Sequence, residues 1–148
     1  MFQPNIAKSL TLVVIQFACL GLIALTGPVF PANGLLLTLE LMGLGLGIWA
    51  VLTMGIGNFN VAPDPLKWSR LVARGPYRAI RHPMYLALLL LTLPLVVTEF
   101  SALRLAMWLA LFADLLLKLN YEEELLAARL EGYREYQQHT YRFIPLIY

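Results

Sequence analysis

Gly75-Pro76-Tyr77-Arg78-Ala79-Ile80-Arg81-His82-Pro83-Met84-Tyr85 is a basic, aromatic segment set between long apolar runs. The chain around it has 148 residues, of which 59% are hydrophobic and only 14% charged. A soluble domain is near half apolar and about a quarter charged. The shift points to a polytopic, all-α integral membrane protein, organised as a single domain over 1–148. A net charge of +2 is too small to argue for a nucleic-acid partner. Cys19 is the single cysteine, which excludes an internal disulfide. Two histidines and one cysteine, far apart in sequence, do not supply a zinc set, so no metal is expected.

Upstream of the segment lie two apolar runs, about 6–26 and 35–54, each near the roughly 20 residues that cross a bilayer. The first is read as a retained span, because more apolar runs follow it and no cleavage pattern precedes Cys19. Between them, Gly27-Pro28 and Pro31-Ala32-Asn33-Gly34 mark a turn. Gly43 and Gly47 are four apart, share a helix face and permit close helix packing. Downstream, 84–98 and 103–119 are shorter runs, with Pro94 expected to bend the first. They read as a hairpin of third and fourth spans. The stretch 121–138 then reads as a separate amphipathic cytoplasmic helix, with Leu125, Leu126, Leu130 and Tyr133 at helical spacing.

Basic residues set the orientation. The 55–82 loop carries Lys67, Arg70, Arg74, Arg78 and Arg81, and the C-terminal segment carries Arg129, Arg134 and Arg142. The 27–34 turn has no basic residue, and the 99–104 turn has only Arg104. By the positive-inside rule the loop, both termini and the acidic cluster Glu122-Glu123-Glu124 face the cytoplasm. Arg81-His82 and Glu122-Glu123 therefore share one side of the membrane.

Each of these groups has a plain reading beside a functional one. Pro83 restricts His82 to extended backbone and suits the first turn of a helix, so His82 stands at that helix's mouth. There it either binds an anionic group or, with Arg81, anchors to headgroups. Tyr77 and Tyr85 are either interfacial belt residues or walls for a flat or cationic ligand. The glutamates are either helix-terminal charges or a receptor for an ammonium or sulfonium. Asp114 and Lys118, four apart inside an apolar run, can pair with each other, or Lys118 can neutralise a substrate anion. Glu40, also in an apolar run, has no evident partner.

The stretch Leu71-Val72-Ala73-Arg74-Gly75-Pro76-Tyr77 through Arg81-His82-Pro83-Met84-Tyr85 resembles the signature of the isoprenylcysteine carboxyl methyltransferase and phospholipid methyltransferase superfamily. That pattern reads roughly Leu-Val-x-x-Gly-Pro-Tyr-x-x-x-Arg-His-Pro-x-Tyr. A second signature resembles Glu122-Glu123-Glu124-Leu125-Leu126, then Gly132-Tyr133-Arg134-Glu135-Tyr136, then Arg142-Phe143-Ile144-Pro145. The two cover about the last 80 residues; the first two helices are similar only in being hydrophobic.

The resemblance implies a helical membrane methyltransferase that uses S-adenosylmethionine. Carried across position by position, it implies cofactor contacts at Ser69, Arg70, Leu71, Val72, Tyr77, His82, Pro83, Met84, Tyr85, Glu122 and Glu123. It implies a substrate contact at Lys118, with the register one residue off. The chemistry of methyl transfer adds catalytic candidates: Arg81 or Lys118 to orient a carboxylate acceptor, and His82 or a glutamate, Glu122 foremost, as base for an amine. The implied acceptor is lipid-like or a small molecule presenting a carboxylate, amine or thiol. A short chain without a eukaryotic-style extension suggests a prokaryotic cytoplasmic membrane. Rival readings are a membrane reductase related to sterol reductases and a non-enzymatic membrane partner.

Overall fold

The computed structural model describes residues 5–55, 58, 60–64 and 69–143. Lys67, Ile144 and Pro145, singled out above, lie outside the described residues. The described chain is all-helical. Helix α1 spans Ile6–Leu25, α2 Gly34–Met54, α3 Pro83–Thr98, α4 Ala102–Arg129 and α5 Tyr133–Gln138, with a 3₁₀ turn at Gly75–Arg78 before α3.

Local chemistry starts each long helix. Asn5 accepts from Lys8 N at the head of α1, Asn33 from Leu35 N and Leu36 N at α2, and Ser101 from Arg104 N at α4. These side-chain oxygens satisfy amides that have no partner inside the helix. At α3 the same position is His82, and Pro83 occupies the first turn, where a missing N–H costs nothing. Helix α2 stops at Gly55, whose φ of 75° leaves the helical region.

Helices α1 and α2, at 20 and 21 residues, are long and apolar enough to cross a membrane; α3, at 16, is shorter. Their outward faces are apolar: Leu25 is 86% exposed and Leu35 79%. Inward, α2 packs against α3 and α1 against α4, and the α3–α4 hairpin joins the pairs. On α1 the buried positions Leu12, Gln16, Cys19 and Ile23 recur every three or four residues. Cys19 joins Leu89, Leu111, Leu115 and Leu119 in the main core.

In lipid, apolar surface alone does not drive helices together, so close packing must. A Cβ on Gly43 would sit 2.9 Å from Leu90 Cβ and 2.9 Å from Leu91 N, and one on Gly47 would sit 3.4 Å from Ala87 Cβ. A Cβ on Gly45 would meet nothing within 4 Å. Gly43→Ala is therefore expected to cost about 1–3 kcal/mol through overpacking, whereas Gly45→Ala should gain up to about 1 kcal/mol of helix propensity. Cys19 is buried, so a thiol-reactive dye on the detergent-solubilised protein reports unfolding. Equal melting points for the two variants would contradict this account of the α2–α3 seam.

No break separates 103–119 from a cytoplasmic helix at 121: α4 runs unbroken to Arg129. Residues 119–129 contain neither glycine nor proline, and Leu111, Leu115, Leu119 and Leu125 stay buried along one continuous stripe. The change from apolar to polar composition at Asn120 is a change of surroundings, not of backbone. The break comes later, where Leu130 turns extended and Gly132 takes a φ of 78°.

Candidate active site

The 3₁₀ turn begins at Gly75, whose φ is 57° and whose absent Cβ would lie 2.7 Å from Thr53 Oγ1 on α2. Only glycine meets both conditions, so Gly75 seats Pro76-Tyr77 on the end of α2. The chain then pairs with the C-terminal tail. Arg81 N donates to Tyr141 O at 2.7 Å, His82 N to Arg142 O at 3.2 Å, and Tyr141 N to Ala79 O at 3.0 Å. Tyr136 Oη donates to Tyr77 O at 2.6 Å. The two polar signatures are thereby stitched to each other through backbone.

Glu123 sits at the centre of the stitching. Its Oε1 accepts from Arg81 Nε at 2.6 Å and lies 3.2 Å from His82 Nε2. Its Oε2 accepts from Gln137 Nε2 at 3.2 Å and pairs with Arg142 Nη2 at 3.2 Å. Arg81 Nη1 also donates to Gln137 O at 3.1 Å and to Thr140 O. Burial pushes the Glu123 carboxyl up, but the hydrogen bonds and charges of His82 and Arg81 outweigh it and hold the group down at about 2.

Glu122, next along α4, turns the other way. Its Oε2 accepts from Tyr85 Oη at 2.6 Å and lies 3.7 Å from His82 Nδ1. The imidazole thus stands between two carboxylates. It stacks on the Tyr85 ring at 5.3 Å and meets Phe143 edge-on at 6.5 Å. Glu124 is exposed. Because these glutamates lie within α4 and not at its start, they do not cap a helix.

Two cavities meet at this constellation. The polar one, of about 80 Å³, is reached by Asn58, Ser69, Arg70, Leu71, Val72 and Tyr136 among others. The apolar one, of about 290 Å³, opens between α1, α2 and α3 and is reached by Phe17, Val51, Ala87 and Leu91 among others. Both are bounded by Met54, Asn60, Tyr77, Arg81, His82, Met84 and Glu122. Tyr77 is 3% exposed, and its hydroxyl is buried without a hydrogen-bond partner among the described residues. Burial first, then Glu122 and Tyr136, push its pKa well above the usual phenol range, so it keeps its proton.

Of the residues expected at a site, Ser69, Arg70, Leu71, Val72, Tyr77, Arg81, His82, Met84 and Glu122 surround the polar cavity. Pro83 and Tyr85 face the apolar one. Glu123 and Lys118 line neither. Lys118 is fully buried and donates to Gln16 Oε1 at 2.5 Å and to Val61 O at 3.0 Å, with its Nζ 5.7 Å from the Tyr85 ring centroid. Asp114 and Lys118, which their spacing would allow to pair, make no hydrogen bond to each other: both Asp114 oxygens are buried without a hydrogen-bond partner among the described residues. Glu40 Oε2 is in the same state.

Reading the sequence did not single out Gln16, Met54, Asn58 or Asn60 for the site. Asn58 and Asn60 are held in the loop by local bonds: Asn58 Oδ1 accepts from Arg70 N at 2.8 Å, and Asn60 Nδ2 donates to Asp64 O at 2.8 Å. Gln16 was one polar residue in an apolar run.

A family described as the isoprenylcysteine carboxyl methyltransferase (ICMT) family matches residues 36–128, from the first turn of α2 almost to the end of α4. No curated protein matches the chain. The matched region contains Gly75-Pro76-Tyr77, Arg81-His82-Pro83 and both inward-facing glutamates, and the chain belongs to the isoprenylcysteine carboxyl methyltransferase family, a family of membrane methyltransferases.

Proposed function

We propose that this single-domain protein, 1–148, transfers a methyl group from S-adenosylmethionine to a lipophilic acceptor at the cytoplasmic face of a membrane. The observation that carries the reading is the shared wall: a polar cavity and an apolar cavity bounded by the same Tyr77, Arg81, His82, Met84 and Glu122. A transfer enzyme needs a polar ligand and an apolar one in contact at one point.

The residues present fit the cofactor. The Glu122 carboxylate suits an ammonium or ribose hydroxyls, Ser69 and Arg70 add polar contacts, and Leu71, Val72 and Met84 offer apolar surface. The buried Tyr77 hydroxyl has a proton to give and no described partner, which a ligand would supply. The cofactor, when bound, brings a methyl already activated on a positively charged sulfur. The protein then has to hold the two reactants in line, and alignment alone is worth several kcal/mol.

Glu123 acts as a positioning residue. It anchors Arg81 and His82 so that the wall between the cavities stays rigid. Arg81 commits Nε and Nη1 to that anchorage; no hydrogen bond among the described residues uses Nη2, which is placed to orient an acceptor. A carboxylate acceptor is already ionised and needs no base. An amine acceptor must lose a proton, and Glu122, on the shared wall, is placed to take it.

The helices cross the membrane four times, with the 55–82 loop, the glutamates and both termini on the cytoplasmic side. The basic residues of that loop and of the C-terminal segment support this orientation. The longer reach of α4 carries Glu122 and Glu123 past the apolar zone into the interface.

Equilibrium binding of labelled S-adenosylmethionine to the detergent-purified protein tests the site. Glu122→Gln and His82→Ala are each expected to weaken binding about 10- to 100-fold, the range for losing a hydrogen bond to a charged group. Unchanged affinity in both variants would remove this assignment.

A further inference from the structure

The apolar cavity has one polar feature that the transfer reaction does not account for. Away from the wall it shares with the polar cavity, its polar side chains are Gln16 and Tyr85. The Tyr85 hydroxyl proton is spent on Glu122 at 2.6 Å. Gln16, on α1, is 6% exposed, and its Oε1 accepts from Lys118 Nζ at 2.5 Å. An ammonium has donors only, so the amide oxygen must face Lys118 and the amide nitrogen must point away from it. None of the hydrogen bonds among the described residues uses Gln16 Nε2. The atom is also absent from the fully buried, unpartnered set. Gln16 lines the apolar cavity, so its amide N–H is the donor this side chain has left to offer there.

We infer that Gln16 is a specificity-determining residue, presenting a fixed hydrogen-bond donor to the acceptor. Lys118 is the positioning residue that sets its orientation. Such a donor favours an apolar-chain acceptor whose polar group offers lone pairs, a carboxylate or carbonyl oxygen. It disfavours a protonated amine, which would set donor against donor beside a buried cation. Lys118 thus acts on the acceptor without touching it, which accounts for its absence from both cavity walls. This inference rests on the apolar cavity being the acceptor site.

The test uses the full chain in lipid nanodiscs, with S-decyl thioacetic acid and decylamine as probes. Equilibrium binding and methyl transfer are measured for wild type, Gln16→Glu and Lys118→Met. Gln16→Glu is the informative variant, because it keeps the side-chain shape and still satisfies Lys118, yet presents oxygen in place of N–H. Wild type is expected to prefer the acid. Gln16→Glu should weaken acid binding about 10- to 100-fold, the range for losing a hydrogen bond to a charged group, and narrow or reverse the preference. Lys118→Met frees the amide to rotate and should narrow the preference without moving cofactor affinity.

An acid-to-amine preference unchanged in Gln16→Glu overturns the role of Gln16. A wild type that prefers the amine overturns it as well. Failure of wild type to bind S-adenosylmethionine instead overturns the methyltransferase reading, and probe binding still reports on Gln16 in that case.

Discussion

Glu123→Ala is expected to produce the largest local loss in the molecule. Removing one partner of a buried ion cluster leaves the others charged and unpaired, a change that typically costs about 3–5 kcal/mol. Here the stranded charge is that of Arg81, and His82 loses its contact to Glu123 Oε1; both residues are on the wall between the cavities. Cofactor affinity should fall with stability, although Glu123 lines neither cavity. Hydrogen exchange should show the pairing of Arg81 N and His82 N with the tail opening well before the α1–α4 core.

The same group sets an acid limit. Glu123 is held at about 2 against an ordinary value of 4.5. Its contribution to stability is fully present above about 4.5 and is lost as pH falls toward 2, where the folded-state carboxylate also takes a proton. The wild-type melting point should therefore drop across that window, and Glu123→Gln, neutral throughout, should lack that part of the drop. Matching pH profiles for the two proteins would show that Glu123 does not anchor the cluster.

Arg104→Ala is the second large expectation, at the opposite end of the bundle. Arg104 is 2% exposed and has no carboxylate partner among the described residues. Its Nη1 donates to Ile23 O at 2.9 Å and Thr26 Oγ1 at 3.0 Å, and its Nη2 to Leu95 O at 2.6 Å. One guanidinium thus closes the C-terminal turns of α1 and α3, where helical partners for the carbonyls run out. Without it Ile23 O loses this donor, and Leu95 O keeps a bond of 3.4 Å from Glu99 N.

Each stranded buried group costs about 1–3 kcal/mol, so the melting point should fall by several degrees or more. Cofactor affinity at low temperature should stay unchanged, because nothing at this end touches the site. Arg104→Lys should not rescue, since a single ammonium cannot span three acceptors as the planar fork does. Gly27→Ala should mimic the defect, because a Cβ at Gly27 would collide with the same guanidinium. A large change in cofactor affinity without a change in melting point would contradict this division between the two ends.

Much of the architecture was legible from residue patterns. Apolar runs of bilayer length, the Gly43/Gly47 face and the turn residues at 27–34 express backbone preferences and periodicity, which act over a few residues. His82-Pro83 marked the head of α3 for the same reason. The helix boundary assigned near Asn120 was misread because polarity reports surroundings, while only glycine, proline or a lost hydrogen bond reports where a helix stops. Asp114 and Lys118 were matched by spacing on one helix. The structure sends Lys118 across to Gln16, 102 positions away in sequence, and no spacing rule reaches that far.

What the amino-acid sequence determined by itself is the inventory: a membrane-class helical chain, a basic Arg-His-Pro segment, an acidic cluster, and the expectation that the two meet on one side. Local propensity and bulk polarity are sufficient for that much. Tertiary structure decided the division of labour inside each cluster. Glu122 and Glu123 are adjacent and chemically identical, yet helical rotation of about 100° per residue turns one to the cavities and buries the other among Arg81, His82 and Arg142. The same three-dimensional proximity made Gln16, a lone polar residue on the first helix, part of the apolar cavity's wall.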